Sequence, residues 1–126
     1  MSKEIFNMIK TRKLTGVKIS SLALHELELN LKAGNILIEG KTPTHYDLAG
    51  FFSHLNELLS MYKIDVFPLT CDQISNAANL RSMHNLSFYD SHHAASAMLH
   101  DSAIISTDKT YDHVSGLNRI DPYTNT

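Results

Sequence analysis

A chain of 126 residues, 43% hydrophobic and 19% charged, has the size and balance of one soluble domain with a single hydrophobic core, here read as residues 1–126. No apolar run reaches the roughly eighteen residues needed to span a bilayer, and no apolar stretch with a small-residue cleavage site opens the chain. The expectation is therefore a cytoplasmic protein. A net charge of −2 argues against broad electrostatic binding of nucleic acid, but not against a nuclease whose carboxylates are neutralised by cations.

In chain order, residues 4–13 place Ile5, Met8 and Ile9 on one helical face, with Gly16 closing the segment. Lys10, Arg12, Lys13 and Lys18 form a basic cluster that either faces a phosphate backbone or solvates a helix end. Residues 17–20 read as a short strand. Ser21 is a plausible N-cap for a helix with Leu24, Leu27 and Leu31 on one stripe, ending at Gly34. Residues 35–44 read as a connection. A long helix is predicted over 44–62, with Leu48, Phe51, Phe52, Leu55, Leu58 and Leu59 at helical spacing.

Residues 64–69 read as a strand near its end, because Pro68 cannot donate to a ladder. A helix follows over 72–83, then a loop over 85–89, then a small-residue helix over 90–100 suited to close packing. Residues 103–106 form an apolar strand, and 118–121 a last short one after the Gly116 turn. Strands separated by helices point to a three-layer α/β/α fold with a mainly parallel central sheet. The single cysteine, Cys71, has no partner for a disulfide or a CxxC site.

Functional groups of such folds gather beyond the carboxyl ends of the strands. That rule selects Glu26 in the helix after the first strand, Asp90 at a helix start, and Asp108 after the 103–106 strand. Asp112 lies one turn further on. Converging carboxylates suit Mg²⁺ or Mn²⁺, which take hard oxygen ligands. Each acid also has a plainer reading: Asp90 as a helix cap, Asp108 as a turn residue, Glu26 as a solvated helix acid. Thr107 either supports the acid cluster by orienting a water or ends the strand. Of the eight histidines none shows HxH or HExxH spacing, and the adjacent His92 and His93 point about 100° apart on a helix. His93, three residues after Asp90, is placed to hydrogen-bond it or approach substrate, with packing the plainer reading.

Residues 86–97 (LSFYDSHHAASA), 103–112 (AIISTDKTYD), Gly116 with Leu117, and 120–122 (IDP), preceded by 19–27 (ISSLALHEL), together resemble the PIN domain family over residues 14–122. The resemblance implies a ribonuclease of the VapC-like toxin kind. It would use Mg²⁺ or Mn²⁺ on an RNA substrate, be restrained by a small antitoxin protein, and form a homodimer. It matches Glu26, Asp90 and Asp108 to three of the family's acidic metal-site positions, with Asp112 as an auxiliary. The family's opening strand, with its Asp, has no counterpart before Val17. The alternative is therefore a catalytically inert or truncated PIN-like interaction module. With a central strand missing, three outcomes are physically acceptable: the flanking strands pair directly, another chain donates a strand, or the natural protein is longer. The last is favoured, because an intact site also needs the missing Asp.

Overall fold

The computed structural model describes residues 16–124, so the helix expected over 4–13 and the basic residues Lys10, Arg12 and Lys13 lie outside the described residues. The elements are β1 (Lys18–Ser20), α1 (Ser21–Lys32), α2 (His45–Met61), β2 (Asp65–Phe67), α3 (Cys71–His84), α4 (Phe88–Met98), β3 (Ala103–Ile105), a 3₁₀ helix (Lys109–His113) and β4 (Asn118–Ile120).

The four α-helices among the described residues each open on a hydroxyl that accepts an otherwise unpaired backbone N–H. Ser20 takes Leu22, Thr44 takes Asp47, Thr70 takes Gln73, and Ser87 takes Asp90. At Thr44 the bond is reciprocal: the Asp47 carboxylate accepts the Thr44 N–H at 2.9 Å, closing a capping box. Two expectations are corrected by these caps. The cap of α1 is Ser20, not Ser21, and α4 begins at Phe88 behind Ser87, so Phe88 and Tyr89 are helical and Asp90 is not the cap. A serine followed by bulky aromatic residues masked that start, because Phe and Tyr resemble the end of a loop as readily as a first turn. Gly34 ends the α1 turn at φ +79°, where an added Cβ would lie 2.8 Å from the Thr42 hydroxyl. A side chain there would be strained by its backbone conformation and by that contact.

Among the described residues the strands are parallel, as expected for an α/β fold, and they form two pairs. β1 pairs with β2, Ile19 opposite Val66, and β3 pairs with β4, Ile104 opposite Arg119. Direct pairing of β1 with β3 is thus not the outcome. Among the described residues a cavity of about 710 Å³ is lined by Ile19, Ile104 and Ile105 from the strands, by Ala23 and Ala97 from α1 and α4, and by the polar Lys18, His93 and Asp101. All three residues of β3 remain half-buried, where a strand covered on both faces would be fully buried.

The core lies mostly to one side of this cavity. Ala77 and Leu80 of α3, Ala94 and Ala95 of α4, and Leu86, Tyr111, Val114 and Leu117 form one buried cluster, with Ala97 and Ile104 against it. Alanines on α4 let α3 approach closely, which accounts for the small-residue composition of that helix. Among the described residues no helix is long and apolar enough to cross a membrane.

Candidate active site

β1 hands its chain to α1 at Ser20, so Glu26 sits in the second turn of that helix. Ser87 starts α4, setting Asp90 in its first turn. Beyond β3, the Ser106 hydroxyl accepts the Asp108 N–H at 3.0 Å, and Asp108 in turn caps the 3₁₀ helix by accepting the Thr110 N–H at 2.9 Å. The supports of Asp108 are therefore Ser106 and Thr110, while Thr107 is exposed beside them. Thr110, through its hydroxyl and its N–H, holds the Asp108 carboxyl below the usual carboxylate range, so it stays ionised.

Tyr111 ties the acids together. The residue is 3% exposed, and its hydroxyl donates to Asp90 Oδ1 at 3.2 Å. Burial first, then the negative charges of Asp90, Asp108 and Glu26, push that phenol far above its ordinary range. All three carboxylates thus act on one buried hydroxyl, although they arrive on three different elements. Tyr111 carried no signal in the sequence beyond standing between Asp108 and Asp112.

A second layer of contacts joins α1 to α4. His93 Nε2 donates to Glu26 Oε1 at 2.9 Å, and His25 Nδ1 hydrogen-bonds with the Tyr89 hydroxyl at 2.6 Å. Tyr89 and His93 are four apart on α4 and meet neighbouring residues of α1, so the pairs act as two rungs of one interface. His93 reaches Glu26, not the Asp90 that its spacing suggested. The adjacent His92 turns the other way and is buried, its Nδ1 accepting from the Gln73 side-chain amide at 3.1 Å.

Asp112 is engaged elsewhere. Arg119 grips it with two bonds, Nε to Oδ1 at 2.9 Å and Nη2 to Oδ2 at 3.2 Å, while Nη1 donates to the Ser106 carbonyl at 3.1 Å. Asp121 adds a looser ion pair at 3.7 Å. The guanidinium holds the Asp112 carboxyl below its usual range. This bidentate clamp fastens the 3₁₀ helix to β4 and leaves Asp112 facing arginine, not the other acids.

Residues 2–117 match the family model described as PIN domain. The chain belongs to the PIN domain family. No curated protein and no solved structure matches it. PIN domains have a nuclease-type fold and generally depend on a divalent metal. The donor set of Glu26, Asp90 and Asp108 fits such an ion chemically, being oxygen-only and anionic. Its spacing is looser than a finished ligand shell, since among the described residues no three His, Cys, Asp or Glu side chains stand ready to hold one ion.

Proposed function

We propose that this PIN domain is a metal-dependent endoribonuclease of the VapC-like kind, the toxin of a toxin–antitoxin pair, with Glu26, Asp90 and Asp108 holding Mg²⁺ or Mn²⁺ directly or through water. The reading is supported by one arrangement: the Tyr111 hydroxyl, on the 3₁₀ helix that Asp108 caps, donates to Asp90, and Glu26 is bonded to His93 one turn beyond Asp90. A divalent ion in such a pocket supplies water activation and charge neutralisation for in-line phosphodiester hydrolysis. The chain's own groups prepare the site for it. Thr110 keeps Asp108 ionised, Tyr111 orients Asp90, and His93 fixes the rotamer of Glu26. Asp112 assists indirectly, by anchoring through Arg119 the turn that carries Asp108. RNA is the substrate, and the small partner protein restrains the active centre.

The looser spacing of the acids favours a second reading, an inert PIN-like interaction module. Calorimetry with Mn²⁺ and Mg²⁺ separates the two. Weak binding is expected for the wild type and none for Asp90→Asn, a change that preserves shape and the bond from Tyr111. RNA cleavage should stop in EDTA and resume with Mn²⁺. Equal metal binding by both proteins removes the site, and absence of binding and cleavage in the wild type leaves the inert module.

A further inference from the structure

α4 opens on a phenylalanine that the core does not take in. Phe88 is 54% exposed, between the buried Leu86 and Ser91. One apolar residue in water is ordinary. A ring clamped in a fixed orientation by a cation is less so. The Arg81 guanidinium of α3 lies over the Phe88 ring, 5.4 Å from its centroid. That guanidinium is itself held, because Nη1 donates to the Ser91 hydroxyl at 2.8 Å and the same hydroxyl donates to the Phe88 carbonyl at 2.6 Å. Among the described residues Arg81 enters no ion pair, so no carboxylate there neutralises it. From Phe88 the rings run on toward the acids. Tyr89 meets Phe88 edge-on at 5.2 Å and stacks with His93 at 6.3 Å, and His93 is bonded to Glu26. A fixed cation, an exposed ring and the acids Asp90 and Glu26 thus follow one another around the start of α4.

We propose that Phe88 and Arg81 form a nucleotide subsite beside the acids, the ring stacking an unpaired base and the guanidinium taking the adjoining phosphate. The inference rests on the nuclease reading and adds to it the residues that hold the nucleotide flanking the point of cleavage. Any base presents a π-face to an aromatic ring, and a guanidinium matches phosphate oxygens in shape and charge. With a net charge of −2 the chain has no general attraction for a polyanion, so a strand has to be held by local anchors of this kind. A purine, with the larger face, is the preferred base. A duplex keeps its bases stacked on one another and offers the ring nothing. An acidic peptide would satisfy the cation but leave the ring in water.

The chain has no tryptophan, so Phe88→Trp places a lone indole emitter at the subsite. Titrated with single-stranded hexaadenylate in EDTA, where metal chemistry is stopped, its emission should be quenched to saturation. An abasic hexamer with the same phosphates should leave it unchanged. By anisotropy with labelled hexaadenylate, Phe88→Trp should bind like the wild type and Phe88→Leu about tenfold more weakly. Arg81→Gln should also bind more weakly, with a log–log salt slope shallower by about 0.7. If Phe88→Leu does not fold, the abasic hexamer decides. The subsite is overturned by equal quenching with the abasic hexamer, by wild-type affinity in Phe88→Leu, or by a wild type that does not bind hexaadenylate. An acidic hexapeptide that binds as tightly as hexaadenylate overturns it as well, because the partner is then a protein. In each of these cases Mn²⁺ binding that Asp90→Asn loses still supports the nuclease reading, so the two fail separately.

Discussion

His92 and His93 are neighbours with opposite duties, because a helix turns successive side chains about 100° apart. His93 braces Glu26, while His92 is a neutral acceptor for Gln73, with Arg81 binding Ser91 at 2.8 Å close by. Burial, then the charge of Arg81 and the nearness of His93, lower the pKa of His92. The folded state therefore binds this proton less well than the unfolded chain. The stabilisation is complete above the unfolded value of about 6.5 and is lost as pH falls below it toward the lower folded value. Melting temperature should stay level from about pH 8 to 7 and then decline toward about pH 5. In His92→Gln that decline should be smaller. Parallel profiles for the two proteins would mean that His92 protonation is not what costs stability.

Among the elements, α2 has the most complete start, and its cap can be tested on its own. Thr44→Ala removes the acceptor of the Asp47 N–H and should cost about 1 kcal/mol in urea unfolding. A loss no larger than that of an exposed helix-surface alanine substitution would show the box to be ornamental. This helix was the most legible in the sequence, since six apolar residues at helical spacing lie between Thr44 and Tyr62, the residues that cap it. The other helices and the parallel strands were also legible from periodicity and punctuation. The start of α4 was not, because Ser87 identifies a cap only once its hydroxyl is seen on the Asp90 N–H. Of the site, Glu26, Asp90 and Asp108 could be selected by their positions after strands and at helix starts. The brace from His93, the buried hydroxyl of Tyr111 and the capture of Asp112 by Arg119 could not. Each depends on a long-range contact that local spacing does not encode, such as the 67 residues between Glu26 and His93.

At the scale of the whole molecule, apolar surface remains to be covered. On α2, Leu48 and Leu59 are buried, Phe51 and Phe52 are half-buried, and Tyr46 and Met61 are 87% and 69% exposed. Ile36 and Leu37 are exposed in the connection before that helix. Surface of this kind marks contact sites, and a homodimer through the α2 face is the expectation. Light scattering should give twice the chain mass at high micromolar concentration, with Phe52→Glu shifting the protein toward monomer. A wild type that stays monomeric at those concentrations would exclude the dimer.

The one-sided core has a bearing on the order in which the molecule comes apart. The larger buried cluster is drawn from residues between Ala77 and Leu117, while the buried Leu22, Leu31, Leu48, Leu59 and Ile64 lie outside it, on or beside α1, α2 and β2. Local opening follows such differences in buried contact, and segments with fewer of them detach at lower free energy than the whole chain unfolds. Glu26 rides on the more weakly anchored half, and Asp90 and Asp108 on the firmer one. The rungs that hold α1 to α4, His25 with Tyr89 and Glu26 with His93, are then the hinge line of a partial melting. On gentle heating the acid constellation is expected to disperse while the packing of α3 on α4 still holds, so loss of the site should report the parting of the two halves before global unfolding does.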